Sequence, residues 1–405
     1  MASASRISER GLDWFTFFVA DIQTGFGPYL AVYLTTQKWN QADIGLVLAL
    51  GSIIGLLSQI PGGWLVDRVA SKRRAAAVAV IGVGISAFLI AMLPTFAGML
   101  AATLLHVGSS AVLGPAIAAI SLGLVGHAAI GPRLGRNTRF AAIGNGLAAA
   151  AMGAVGYFIS PQAVFFATAV LTIPTVWALN YIRDSEIDPV RADAGPEAPD
   201  TPAGTVLDLL RKQALAAFAL CIFLFHAANA AMLPLVGSEM TLRSAQWASA
   251  LIAAAIVVPQ LVAATIAPRV GRLAASIGRR PLLLVGFAVL PLRAIFLTFY
   301  RDPASIIVVQ ALDGISGAVL GVLVPLVLAD ISRGTGHFNL AQGILACATG
   351  VGAAASTAVA GYLATRFGTT AACLGLAVAA ACAFLTVLMA MQETMPRRED
   401  PSEPK

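Results

Sequence analysis

The sequence predicts an all-α membrane protein with twelve transmembrane helices arranged as two pseudo-symmetric six-helix bundles. Three observations lead to this prediction: an unusually apolar composition, twelve apolar stretches of membrane-spanning length, and a repeat that divides them six and six. Of the 405 residues, 58% are hydrophobic and only 11% are charged, whereas a soluble domain carries about 25% charged residues. An exterior with so little charge is suited to lipid and not to water.

Apolar stretches of about 20 residues, the length that crosses a bilayer, recur along the chain with short breaks. The first six are expected at 11–36, 42–67, 75–94, 97–126, 138–159 and 162–182. The second six are expected at 212–236, 245–270, 281–300, 304–331, 338–364 and 370–391. The chain is therefore predicted to contain an N-terminal bundle (1–182), a cytoplasmic linker (183–207), a C-terminal bundle (208–394) and a cytoplasmic tail (395–405).

The two halves look like copies of one another. Trp39 and Trp247 stand 208 positions apart, each near the start of the second span of its half. The segment that begins at Gly63 is similar to the segment that begins at Gly271. Parallel repeats of this kind place a substrate site near the middle of the membrane, between the halves.

The placement of Lys and Arg predicts the orientation. With the N-terminus inside, 21 of the 26 basic residues fall in inner segments, four fall in outer turns, and Arg293 lies within a span. The positive-inside rule then places both termini in the cytoplasm of a bacterium, with the chain crossing the inner membrane many times. The net charge of +6 is thus a signal of topology, and no nucleic-acid partner is expected. The linker is rich in Pro, Ala, Gly and acidic residues, which predicts a flexible segment that does not bury a core.

A glycine- and arginine-rich motif joins the second and third spans, and a weaker copy joins the eighth and ninth. The residues that form the two motifs are Gly63, Asp67, Arg68, Lys72 and Arg73 in the first, and Gly271, Gly278, Arg279 and Arg280 in the second. In the second copy Ala275 replaces the acidic residue. With these motifs the chain resembles the major facilitator superfamily over essentially its whole length.

The resemblance implies several properties. Asp67 is expected to face the start of helix 11, and the basic residues of the motif are expected to form a cytoplasmic charge relay that controls switching between states. A purely topological role for the basic residues is the alternative. The resemblance also implies a monomer. Two features of drug–proton antiporters in the family are missing, since helix 4 offers Thr103 or His106 where an arginine is usual, and helix 5 lacks a proline.

Ionisable residues deep in the membrane are the candidate functional residues, because each costs at least about 2.5–3.5 kcal/mol to insert. Asp21, His106, His226 and Asp313 fall in helices 1, 4, 7 and 10, which in the family surround the central cavity. Each half thus contains one acid and one histidine, a combination that can bind and release protons near neutral pH. Asp21 is expected to be the main site that couples proton movement to transport. Polar contacts that hold helices together, or plain solvation of a cavity, are the alternatives.

Arg293 is expected at a depth near that of Asp313, so that Asp313 has either Arg293 or His226 as its partner. An Arg293 side chain that instead reached the cavity would favour an anionic substrate. Gln23, Tyr29 and Asn229 are further polar candidates for lining the pathway.

Three functions remain open from the sequence. The leading one is proton-coupled efflux of small amphipathic organic compounds by a secondary transporter. The second is proton-coupled uptake or export of a small metabolite, and the third is a receptor or scaffold on a transporter fold. The sequence has no phosphate-binding loop and no metal-ligand cluster, so we expect no enzyme activity, no cofactor and no metal. The expected partners are a small-molecule substrate, protons and the lipid bilayer.

Overall fold

The structure is a computed structural model that describes residues 4–24, 27–196, 204–235, 248–300 and 302–395. The regular elements in these ranges are helices. In chain order they are α1 (Arg6–Thr24), α2 (Gly27–Thr36), α3 (Gln41–Arg68), α4 (Lys72–Met92), α5 (Phe96–Phe158), α6 (Pro161–Asn180), α7 (Pro189–Ala192), α8 (Val206–Leu210), α9 (Gln213–Asn229), α10 (Ala248–Ile277), α11 (Arg280–Phe299), α12 (Pro303–Ser332) and α13 (Phe338–Ala390).

Polar side chains mark where several of the long helices begin. Asn40, Ser71, Thr95 and Ser160 precede α3, α4, α5 and α6, and each accepts a hydrogen bond from a backbone N–H three residues later. This contact satisfies one of the four donors that a helix leaves unpaired at its N-terminus. Short polar residues between apolar runs therefore set the starts of these spans.

Two of the helices are each a pair of membrane crossings joined without a loop. The backbone of α5 breaks at Gly126 (φ 68°) and that of α13 at Gly368 (φ 83°). Both values lie in the left-handed region that glycine adopts with little strain. With α1 and α2 as the first crossing, the described ranges hold twelve membrane-spanning segments, as predicted. Residues 127–137, which separate the fourth and fifth predicted spans, are helical, because the fifth segment starts directly after Gly126.

The twelve segments divide into two half-bundles with separate cores. Helices α1–α6 bury residues such as Phe15, Tyr33 and Phe165, and α9–α13 bury residues such as Phe218 and Phe287. The second core also takes in apolar side chains of α5, among them those at positions 122 and 134. The halves therefore share a packed surface as well as a linker.

Residues 184–195 of the linker, which we call the strap, are packed against the bundle, so the prediction of a flexible linker was wrong for this part. Ile187 is 8% exposed, and Ala192 and Ala194 are fully buried. The backbone N–H of Asp188 donates to the carbonyl of Gly123 in the first half, and that of Gly334 donates to the carbonyl of Ala194 (3.1 and 2.8 Å). Composition alone did not predict the packing of the strap, because the strap has no core of its own and is held by hydrogen bonds to both halves and by burial of its apolar side chains against their cores.

Candidate functional site: the cavity and the contacts between the halves

The backbones of the two halves come into contact at the end where α3 finishes and α4 begins, which we call the basic end. A Cβ atom on Gly63 of α3 would overlap the backbone of Asn339 in α13. A Cβ atom on Gly131 of α5 would lie 2.7 Å from the carbonyl oxygen of Gly271 in α10. Only glycine permits this approach. Gly63 and Gly271, one from each motif, therefore allow the backbones of the two halves to touch at the basic end.

A cavity of about 300 Å³ lies between the halves. Its walls come from α1 and α5 of the first half and from α12 and α13 of the second. None of its fifteen described lining residues is acidic, basic or histidine. The polar members are Thr16, Gln23, Asn137, Thr138, Asn145 and Gln342.

Two of the cavity amides differ in their bonding. The Asn137 side chain is fully engaged, since its oxygen accepts from Arg133 Nε at 2.9 Å and its nitrogen donates to Ser121 at 2.7 Å. Nε2 of Gln342 is buried and has no partner among the described residues. An unpaired buried donor costs about 1–3 kcal/mol. A ligand that accepts a hydrogen bond from Gln342 would offset this cost.

Asp21 lies in α1, one residue after the cavity-lining Ala20. Its side chain is 6% exposed, and it forms no hydrogen bond or ion pair within the described part of the chain. It is not bonded to His106, which lies partly buried in α5. The acid–histidine pair that the sequence suggested for the first half is therefore not formed, and Asp21 stands as an isolated buried acid.

The second half forms a buried polar cluster around Arg293, which is 1% exposed. Arg293 makes an ion pair with Asp313, and its Nη1 also donates to Asn229. Its Nε donates to Gln310 at 2.9 Å. Of the two partners left open for Asp313, the structure selects Arg293, while His226 packs beside Phe225 in α9. Arg293 is thus engaged within its own half. The Tyr29 side chain lies outside the described residues.

Asp67, near the end of α3, binds the N-terminus of α13. Its carboxylate accepts hydrogen bonds from the backbone nitrogens of Asn339 and Leu340 at 3.0 and 2.8 Å, and from Nδ2 of Asn339 at 2.8 Å. A carboxylate at a helix N-terminus is stabilised by the unpaired N–H groups and by the helix dipole. Asp67 therefore faces the start of helix 11, as the sequence resemblance implied.

Lys72 caps α3 and also reaches the strap. Its ammonium group donates to the carbonyls of Val66 and Val69 at 2.7 and 3.0 Å, and it forms an ion pair with Asp193 at 2.7 Å. Asp193 in turn accepts from Nδ2 of Asn339 at 3.2 Å. We call Asp67, Lys72, Asp193 and Asn339 the latch. Sequence reasoning did not select Asp193 or Asn339, because no local pattern marks either one.

The other basic residues of the first motif do not bond to Asp67. The guanidinium of Arg68 lies 3.8 Å from the ring centre of Trp64, and Arg73 donates to the carbonyl of Ile182 at 2.8 Å. Both contacts remain within the first half. The latch therefore joins the halves through one lysine, two acids and one amide.

The second motif builds a different contact. Gly278 has φ of 96°, a conformation that glycine adopts readily. The Glu393 carboxylate accepts from the backbone nitrogens of Arg279 and Arg280 at 2.8 and 3.0 Å, and Arg279 pairs with Asp330 at 2.9 Å. All of these contacts lie within the second half. Because Ala275 replaces the acid, the second motif has no counterpart of the Asp67 contact.

One buried charge cluster in the first half was missed. Asp13 of α1 is 1% exposed and pairs with both Arg133 and Arg136 of α5. The signal was available, since Asp13 falls in the first span and the two arginines are three residues apart on one helix face. This cluster neutralises Arg133, the charged residue that contacts the cavity amide Asn137.

The fold and the site define a polytopic membrane protein in which two six-helix halves enclose a cavity and close against each other at one end. The Major Facilitator Superfamily model matches residues 14–269 and 218–405. The MFS-type transporters MT2531 and Rv2456c of Mycobacterium tuberculosis are each 40% identical over 393 residues, covering 95% of this chain and 93% of theirs.

Solved structures share the fold. The human organic anion transporter MFSD10 (TETRAN) aligns with a TM-score of 0.69 at 16% identity, over 94% of this chain and 98% of that one. The nucleoside transporter NupG aligns with a TM-score of 0.65 at 15% identity, over 95% and 100%. The chain belongs to the Major Facilitator Superfamily and is a multi-pass membrane transporter.

Proposed function

We propose that the protein is a secondary active transporter of the bacterial inner membrane that exports small amphipathic organic compounds in exchange for protons. It works as a monomer by alternating access, with both termini in the cytoplasm. The observation that carries this proposal is Asp21, a membrane-buried acid that has no partner among the described residues. An acid that serves packing alone would be expected to have one, as Asp13 and Asp313 do.

Alternating access requires contacts that hold one end closed and that can separate. The latch and the glycine contacts at the basic end supply them, because they consist of a few hydrogen bonds and van der Waals contacts. In this arrangement the basic end is closed. Separation of Asp67 from the start of α13 opens the cavity toward the cytoplasm.

The test is growth of an efflux-deficient bacterial host on a panel of amphipathic antibiotics and dyes, combined with dye-reported proton movement in everted vesicles. The wild-type protein is expected to confer resistance and to move protons when a compound is added. Asp21→Asn is expected to abolish both. Asp43→Asn is the matched control, since Asp43 bonds to Asn40 at the start of α3, and it should behave as wild type.

The small cavity favours a second candidate, proton-coupled uptake or export of a metabolite. A cavity of about 300 Å³ lies at the lower end of the range for ligand pockets, and helix 4 lacks the arginine of drug–proton antiporters. Resistance to no compound, with normal amounts of protein in the membrane, would reject drug efflux. Growth on single nutrients would then identify the metabolite.

A further inference from the structure

We propose that the cavity between the halves binds an uncharged ligand, and that Gln342 selects it by donating a hydrogen bond from Nε2 to a carbonyl or hydroxyl oxygen of that ligand. The proposal rests on the proposed function only in taking this cavity as the transport site. It adds the chemical class of the substrate and the residue that recognises it.

The first argument is electrostatic. All fifteen described lining residues are uncharged, and Arg133, which contacts the lining residue Asn137, is paired with Asp13. A charged ligand that entered this cavity would lose its hydration without gaining an opposite charge, which is strongly unfavourable. An uncharged ligand loses only hydrogen bonds to water, and amide groups replace these.

The second argument comes from the inventory of donors. The Asn137 side chain is used by Arg133 and Ser121, and the Thr16 hydroxyl donates to the carbonyl of Asp13 at 2.8 Å. Asn145 also has another interaction within the protein. Of the six polar lining residues, Gln342 is the one whose side-chain nitrogen is buried and has no partner among the described residues. Because an amide nitrogen only donates, the matching ligand atom is an acceptor.

The third argument concerns position. Gln342 lies in α13, three residues after Asn339, which Asp67 holds. Next to it, Gly343 packs against the backbone of Gln59 in α3 at a distance that excludes a Cβ atom. A ligand bound by Gln342 and by side chains of the first half therefore contacts the same helix turn that closes the basic end. Recognition of the ligand and closure of the basic end therefore both depend on the first turns of α13.

The experiment measures ligand-induced shifts in Tm of the purified full-length protein in detergent. The probes are benzamide, benzamidine and benzoate, which share one size and shape but are neutral, cationic and anionic. A ligand that binds the folded state raises Tm with its concentration. Benzamide is expected to raise Tm, and the two charged compounds are expected to leave it unchanged.

Three variants sharpen the test. Gln342→Leu is expected to abolish the benzamide shift. Gln162→Leu is the control, since Gln162 lies at the start of α6 with its Nε2 already bonded to Ala91, and it should keep the shift. Gln342→Glu retains the shape but changes the donor to an acidic group, so the response should move from benzamide to benzamidine.

Equal shifts from a charged compound, or a benzamide shift that survives in Gln342→Leu, would overturn the proposal. The absence of any shift would overturn it as well, because the cavity would then not accept a small neutral amide. These outcomes are independent of proton movement. Benzamide binding by a protein that moves no protons would reject the proposed function and leave this inference in place.

Discussion

Asp67 and Asn339 join the two halves of the transporter, since the Asp67 carboxylate accepts from both the backbone nitrogen and Nδ2 of Asn339, at 3.0 and 2.8 Å. Asp67 ends the second crossing and Asn339 begins the eleventh, and 272 residues separate them along the chain. The contact also includes the strap, because Asn339 donates to Asp193. The first predictions concern this junction.

Neutralising Asp67 should weaken closure of the basic end. Asp67→Asn removes a charge that interacts favourably with the N-terminus of α13, a contribution of about 1 kcal/mol, which corresponds to a factor of about five in the ratio of closed to open protein. Spin labels on Arg74 and Ser276, one exposed residue from each half, should show a longer mean distance. Asp184→Asn is the control, because Asp184, at the start of the strap, accepts from Ser71 of the first half and is not one of the latch residues. An unchanged distance in Asp67→Asn would contradict the latch.

Docking of the strap should depend on pH, because Asp193 at the Lys72–Asp193 contact has a shifted pKa. Burial raises the pKa of Asp193 to about 6 from an ordinary value of 3.8, against the opposing effect of Lys72 and with a further increase from Asp67. The docked strap therefore binds a proton more tightly than a released strap. The extra stability of the docked strap is fully present at pH values below the ordinary pKa of 3.8, and it is lost as the pH rises through about 6.

The same spin-label pair measures this effect. The fraction of closed protein should fall as the pH is raised from about 4 to about 7. Asp193→Asn keeps the acceptor for Lys72 and cannot titrate, so the fall should be smaller in this variant. An identical pH profile in the two proteins would assign the titration to another group.

A methyl group at Gly63 should separate the halves. Gly63→Ala places a Cβ atom against the carbonyl of Asn339, and rigid helix backbones cannot both retreat without losing the Asp67 contacts. Tm should fall although alanine favours a helix by about 1 kcal/mol over glycine. Gly361→Ala is the matched control, since a Cβ atom there meets nothing within 4 Å, and it should leave Tm equal or higher.

Arg293 and Asp313 should affect stability as a pair, since each neutralises the charge of the other. Asp313→Leu leaves an unpaired guanidinium in the second half and should destabilise the protein by about 3–5 kcal/mol. The double variant Arg293→Met/Asp313→Leu removes both charges and should recover most of the lost Tm. No recovery in the double variant would show that Asp313 has a role beyond neutralising Arg293.

Much of the fold could be predicted from local features of the sequence. Apolar runs of spanning length and the duplicated motifs predicted twelve helices in two halves. The fourth predicted span ended at Gly126, and Gly368 fell between the predicted spans 338–364 and 370–391. The sequence did not predict that the next segment starts directly after Gly126, because a single glycine without a polar loop resembles the many glycines that lie inside membrane helices. The motif likewise identified Asp67 but not its partner Asn339.

The sequence by itself determined the membrane environment and the number of crossings, since hydropathy and length act within each segment and need no partner. It also identified some of the buried ionisable residues, Asp21 and Arg293 among them, but not Asp13. Only the tertiary structure decided how they are used: Asp313 pairs with Arg293, Asp21 has no partner in the described ranges, and Asp193 of the strap completes the latch. The physical reason is that a pairing depends on distances between residues far apart in the chain, and these distances are set by the packing of whole helices.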